Sequence, residues 1–248
     1  MISFNNTQER AITGNSMNTE TQKKAKGFGA VTIYETLRDE ILSLTLAPSE
    51  LVDEASLASR FGVSRSPVRE AMVKLVSESL LQTLPNKGTI VAPLRIEEFP
   101  QYVDALDIIQ RTVTRLAAKF RNADSLKQIH IEQDKFAHCV KHNDVLGMIL
   151  CNRDFHIAIA KAGNNRYLEQ IYSRLLDDGR RSLRLYFKSY NDILPIEMSN
   201  AHEHLINAIE AQDADLAERL ASEHTLEMQQ RFLDYLGSRH TRNIAITT

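Results

Sequence analysis

Val63-Ser64-Arg65-Ser66-Pro67-Val68-Arg69-Glu70 is the stretch on which the fold turns. The pattern predicts that a helix opens here. Arg65 and Arg69 lie four residues apart, so at about 3.6 residues per turn they share one face. Val68, Ala71, Met72, Leu75 and Val76 form the opposite, apolar face. Ser64 is placed to cap the helix, and Pro67 falls in its first turn, where a missing N–H costs little.

Upstream, Ile33, Leu37 and Ile41 keep helical spacing in a first helix over 34–43. Glu54-Ala55-Ser56-Leu57-Ala58-Ser59-Arg60-Phe61 gives a second helix, closed by Gly62 at a left-handed stop. A short turn joins it to the arginine helix, which makes a helix-turn-helix. Downstream, Gln82-Thr83-Leu84 and Thr89-Ile90-Val91-Ala92 flank Pro85-Asn86-Lys87-Gly88, the pattern of a hairpin. That hairpin is a wing with Lys87 and Gly88 at its tip. A helix that packs on one side and offers Arg65, Ser66 and Arg69 on the other suits the major groove of double-stranded DNA.

Charge does not carry that reading alone. The chain has 248 residues and a formal net charge of -2. Within 29–94, Arg38, Arg60, Arg65, Arg69, Lys74 and Lys87 are outnumbered by Glu35, Asp39, Glu40, Glu50, Asp53, Glu54, Glu70 and Glu78. Positive charge must therefore act locally, through the helix and the wing. Residues 1–28 are polar and read as a flexible arm. No apolar run approaches the roughly 20 residues of a membrane span, and the N-terminus lacks the apolar core of a signal peptide. Cys139 and Cys151 fit reduced thiols better than a disulfide framework, so a cytoplasmic location is expected.

From Arg95 onward the pattern is helical, with helices expected over 97–120, 123–142, 144–162, 165–190, 195–211 and 213–237. Asp124, Asn143 and Asp213 are the expected N-caps. The fold class is therefore mainly α: a winged helix-turn-helix at 29–94, an all-helical bundle at 97–237 and a tail at 238–248.

Polar residues on apolar stripes mark the bundle's chemistry. Asn152 and His156 are i and i+4, with Phe155, Ile159 and Gly163. His224 lies within Ala217, Leu220, Ala221 and Met228, and His204 borders Ala201, Leu205 and Ala208. Three imidazoles and an amide oxygen from three helices can converge on a divalent metal, zinc or a similar ion. The row His130, Asp134, His138, His142 has a metal-like spacing too. It lies beside the Leu126, Ile129, Gln133, Phe136, Val140 stripe, and a single helix row cannot enclose an ion, so it reads as a solvated face. Arg180 flanks the Leu176, Gly179, Leu183, Tyr186 stripe, with Arg184 one turn on. An arginine fork there suits a carboxylate. Arg181 is expected to point outward.

The motifs carry a resemblance. Leu57-Ala58, the run Phe61 to Ala71, and Gly88-Thr89-Ile90-Val91 resemble the winged helix-turn-helix of GntR-type bacterial transcription regulators. The resemblance implies DNA contacts from Ser64, Arg65, Arg69 and the wing tip at Lys87 and Gly88, and Ser66 and Thr89 are expected beside them. One departure is Pro48-Ser49, where the family usually has Pro-Gly before the first strand. Asn152-Arg153-Asp154-Phe155-His156, Gly163-Asn164, Glu203-His204, Ala208-Ile209, Asp213, Ala217 and His224 resemble the FCD effector-binding domain of the FadR-like subgroup. That resemblance implies metal ligands at Asn152, His156, His204 and His224, and it alone selects His204 over His202. Asn152 stands where Asp is common, so a weaker metal site is expected. Leu106 and Gln110 stand where an Arg and a Glu are common.

The combined reading is a transcription regulator, expected to be a homodimeric repressor and not an enzyme. Its expected effector is a small organic acid or other anionic metabolite held by the metal, Arg180 and Arg184. Two rivals remain at this stage: a metal-dependent enzyme, and an effector-independent DNA-binding protein with a structural metal.

Overall fold

The computed structural model describes residues 29–85, 88–189, 193–195 and 198–240. The expected arm at 1–28, the wing-tip Lys87 and tail residues 241–248 lie outside the described residues.

Helix α1 (Ala30–Leu42) buries Ile33, Leu37 and Ile41 completely. Helix α2 (Glu54–Phe61) starts where the Asp53 carboxylate accepts the Ser56 N–H at 2.8 Å and stops at Gly62, φ 65°. Helix α3 (Arg65–Ser77) packs Val68, Ala71, Met72 and Leu75 against α1 and α2. Two local expectations change here. Ser64 occupies the N-cap position but its hydroxyl makes no capping bond. Val76 is 37% exposed, so the apolar face ends at Leu75.

Three strands close this unit: β1 (Leu51–Val52), β2 (Leu81–Leu84) and β3 (Gly88–Val91). They form an antiparallel sheet in the order β1-β3-β2, with Leu51 opposite Ile90 and Thr83 opposite Thr89. Before β1, Ser49 sits at φ 68°, a left-handed conformation that glycine adopts without steric cost. Its N–H donates to Val91 O at 2.9 Å, which ties the loop to the sheet without the glycine.

A short 3-10 turn (Ile96–Glu98) leads into six helices: α4 (Phe99–Phe120), α5 (Ala123–Lys141), α6 (Val145–Ala162), α7 (Arg166–Ser189), α8 (Met198–Glu210) and α9 (Ala214–His240). Helix α4 lies against α6, α7, α8 and α9, while α5 packs on α6 and α8. Phe155, Ile129, Ile159, Leu205 and Ala217 fill the centre of one core. Helix α8 is described from Met198, with the two residues before it, 196 and 197, outside the described residues, and α9 runs to His240, past the expected tail boundary.

The caps also differ. Asn122, not Asp124, begins α5 through a reciprocal pair of bonds with Ser125. Asp144, not Asn143, begins α6, accepting from the Gly147 N–H at 2.9 Å. Asn143 instead takes φ 54°, and its side chain accepts the Leu194 N–H at 2.9 Å. Asp213 does cap α9, accepting from Leu216 N–H at 2.9 Å. No helix among the described residues is long and apolar enough to cross a membrane.

The winged unit meets the bundle where α1 packs on α7. Asp177 of α7, itself buried, accepts from Arg38 Nη2 of α1 at 2.5 Å. Arg181 Nη2 donates to Ala92 O at 2.5 Å, so Arg181 is a buried tie between the two units and does not point outward.

Candidate functional site

The N-terminal turn of α3 stands clear of the sheet and presents Ser64, Arg65 and Ser66 to solvent. Arg65 has no hydrogen bond or salt bridge to a described residue, whereas Arg69 donates to Glu54 through Nε at 3.0 Å and Nη2 at 2.8 Å. Arg69 is two-thirds exposed and Glu54 one-third, so this pair is weak and exchangeable for a phosphate or base edge. Gly88 is exposed at the hairpin, at φ 85°, and Thr89 beside it is half-buried.

At the centre of the bundle lies a cavity of about 130 Å³. Asn152, Arg153 and His156 reach it from α6, Arg180 from α7, His202 from α8 and His224 from α9. The rings of His156, His202 and His224 form a triangle with every centroid separation 5.2 Å. One ligand atom from each lies within 4.8 Å of the others, the sole such cluster found among the described residues.

This corrects the expected set: His202 is 1% exposed and belongs to the triangle, while His204 is exposed and does not. Two residues along a helix is a rotation of about 200°, so only one of the pair can face inward. The sequence held the signal. His202, Leu205, Ile206 and Ile209 share one i, i+3, i+4, i+7 stripe, and all four are buried.

His202 is oriented by a partner that sequence reading missed. Gln133 Nε2 donates to Ser199 O at 3.3 Å and to Glu203 Oε1 at 3.1 Å. Its Oε1 therefore faces His202 Nδ1, at 2.9 Å, and must accept. This fixes the proton on Nδ1 and leaves the Nε2 lone pair free; that buried atom has no hydrogen-bond partner. Burial, and then His224, holds the His156 imidazole well below its usual pKa. Burial, then His156 and His224, does the same to His202. Burial, then Arg231, lowers His224 to about 4. Three neutral, lone-pair-bearing nitrogens with an outer hydrogen bond on one of them are a donor set that fits a zinc-like cation. Half-buried Asn152 offers an amide oxygen beside them.

Arg180 is no surface arginine: it is 5% exposed and lines the cavity. Its Nη1 lies 3.7 Å from Asp177 Oδ1, its Nη2 lies 3.5 Å from Asp39 Oδ1 of α1, and its Nε is buried without a partner. Arg184 is half-buried but does not line the cavity, which corrects its expected place in the clamp. Arg153 lines it instead, with Nε 2.6 Å from Asp177 Oδ1 and Nη1 2.8 Å from exposed Asp154. Spacing offered Asp177 as an i−3 partner of Arg180, but gave no sign of its contacts with Arg153 and Arg38, 24 and 139 positions away.

The other polar groups are structural. His130 bonds Glu210 at 2.6 Å and His138 stacks on His142 at 4.1 Å, both on the exposed side of α5. Cys139 and Cys151 are free thiols with sulfurs 3.7 Å apart, and burial pushes Cys151 up to about 12.

Comparison with known proteins gives this geometry its context. The family described as "Bacterial regulatory proteins, gntR family" matches residues 30–91, and the FCD domain matches residues 101–227. The HTH-type transcriptional repressor RspR of Escherichia coli (strain K12) is 24% identical over 202 residues, 80% of this chain and 86% of that protein. The HTH-type transcriptional repressor GlaR of the same strain is 28% identical over 202 residues, 78% of this chain and 90% of that protein. The solved structure of E. coli McbR/YncC shares the fold, with a TM-score of 0.74 at 19% identity over 84% of this chain and 98% of that one. With an exposed arginine helix on a winged unit and a histidine-lined cavity in a helical one, the chain belongs to the gntR family of bacterial regulatory proteins, as a DNA-binding transcription regulator with an FCD domain.

Proposed function

We propose that this regulator is a homodimeric repressor of a near-palindromic operator, released or retained by a small anionic metabolite. Arg65 and Arg69 read the major groove, with Ser64, Ser66 and the wing residues Lys87, Gly88 and Thr89 on the flanking backbone. The helical domain holds one divalent metal, zinc or a similar ion, through His156, His202 and His224, with Asn152 as a weaker oxygen ligand. Bound there, such a cation supplies a positive centre for an anionic group, and Arg180 orients that group.

The observation that carries metabolite control is the double placement of Arg180. It lines the cavity and at the same time faces Asp39 and Asp177, the carboxylates at the seam with α1. An anion entering the cavity competes for the same guanidinium, and so alters how the winged unit is held. Coupling of this kind requires unequal ligand affinity for the two arrangements, which competition for one cation provides. A metal-dependent enzyme is the weaker reading, because Asp154, the carboxylate nearest His156 in sequence, is exposed and paired with Arg153.

Fluorescence anisotropy with the DNA upstream of the chain's own gene tests the recognition helix. Arg65→Ala or Arg69→Ala is expected to weaken specific binding by about tenfold to a hundredfold, as for loss of a bidentate base contact. Neither side chain touches the core, so both variants are expected to fold. Unchanged affinity in both removes α3 from the interface.

A further inference from the structure

We propose that the ligand of the central cavity is a monocarboxylate with a compact apolar body, a single ring or a short branched chain, and not a polyhydroxylated or multiply charged acid. The inference rests on the metabolite-responsive reading above and names the chemical class that the site selects.

Three observations converge. The first is size. A cavity of about 130 Å³ is close to the roughly 150 Å³ that holds a benzene ring in a protein interior.

The second is the wall. Leu106, Phe136, Met148, Leu176, Met228 and Phe232 supply apolar surface from five helices. Two of the wall's polar side chains are committed elsewhere. Gln110 donates to Ala221 O at 3.1 Å and accepts from Tyr172 at 2.9 Å, and the Thr225 hydroxyl donates to Ala221 O at 3.1 Å. Hydroxyl groups on a ligand would lose water along these walls and gain few partners.

The third is the remainder. Among the described cavity-lining side chains, Arg180 at Nε and His202 at Nε2 each carry a buried polar atom with no partner. With a cation on the histidines, His202 Nε2 is used, and Arg180, with its Nε unpartnered and its Nη atoms no nearer than 3.5 and 3.7 Å to Asp39 and Asp177, is the lining guanidinium left to orient an anionic head. Arg153 and Arg231 also line the cavity, but each is already paired, Arg153 at 2.6 Å from Asp177, which it shares with Arg38, and Arg231 at 3.6 Å from the exposed Glu227. A second carboxylate on the ligand would have to displace one of them.

Calorimetric titration of the full chain, as purified with its metal, distinguishes the possibilities. The probes are benzoate and isovalerate for the proposed class, gluconate and citrate for the excluded classes, and benzyl alcohol as the uncharged counterpart of benzoate. Benzoate or isovalerate is expected to bind at least about tenfold more tightly than gluconate, citrate or benzyl alcohol, because each unpaired hydroxyl or charge buried on the wall weakens binding by about that factor. The same order is expected in the rise of the melting temperature. Gluconate or citrate binding as tightly as benzoate would overturn the ligand class while leaving the anionic-effector reading intact. Equal binding of benzyl alcohol would overturn the carboxylate head. Binding by none of the acids would overturn the effector reading itself.

Discussion

His202 keeps a bare nitrogen in the protein interior because Gln133 has been turned to take its proton-bearing one. An unpartnered buried acceptor costs stability, and a cation placed on the lone pair removes that cost. The neighbouring His204 faces water and carries no such demand. Metal analysis of gently purified protein is therefore expected to find about one ion per chain in wild type and in His204→Ala, and most of it lost in His156→Ala, His202→Ala and His224→Ala. Retention of metal by His202→Ala together with its loss in His204→Ala would reinstate the set implied by family resemblance. Asn152→Asp is expected to tighten metal binding, since it adds a negative charge at the same side-chain length; competition with a chelator measures it. At Arg69 the same residue-level logic runs the other way: its pair with Glu54 is mostly solvent-facing, and the proposed DNA contact would replace it at small cost.

Each of α6, α8 and α9 contributes one histidine, so the triangle exists only while three helices stay packed. Burial depresses all three imidazoles below their usual value near 6.5, His224 to about 4. The unfolded chain therefore takes up protons that the folded one refuses. Stability of metal-free protein is expected to be full above pH 6.5 and to fall as pH drops from 6.5 towards 4, at up to about 1.4 kcal/mol per pH unit for each histidine. Urea melts of chelated protein across that range check the sign; a midpoint that stays flat or rises on acidification contradicts it. Elements were legible in the sequence where one periodicity governed them. The stripes of α1, α3 and α6 and the Gly62 stop follow directly from local pattern. The choice between His202 and His204 was equally present, as the buried stripe ending at Ile209, but family resemblance pointed past it. Caps were less legible, because Asn122, Asp124, Asn143 and Asp144 all have capping side chains and only the backbone decides among them. Beyond an i−3 pairing with Arg180, the role of Asp177 was not legible, since it depends on α1 meeting α7.

For the whole molecule, one exposed α3 helix reads too few base pairs to find a site among genomic competitors, and two related by a two-fold axis double the readout. Light scattering is expected to give twice the mass of 28.1 kDa at micromolar concentration, and the bound DNA is expected to be a near-palindrome with half-sites one or more helical turns apart. A monomer that stays monomeric on DNA contradicts this. At the seam between the two units, Asp177 is shared by Arg38 and Arg153 and approached by Arg180. One buried carboxylate thus serves a helix of the DNA-binding unit and two walls of the cavity. Whatever changes the hold on one side changes it on the other, and binding equilibria joined in this way are reciprocal. For the proposed metabolite response, the ligand concentration at which the regulator answers would then not be fixed by its cavity alone: protein seated on its operator and protein free in solution would be two different sensors, and the number of operator copies would help to set the threshold.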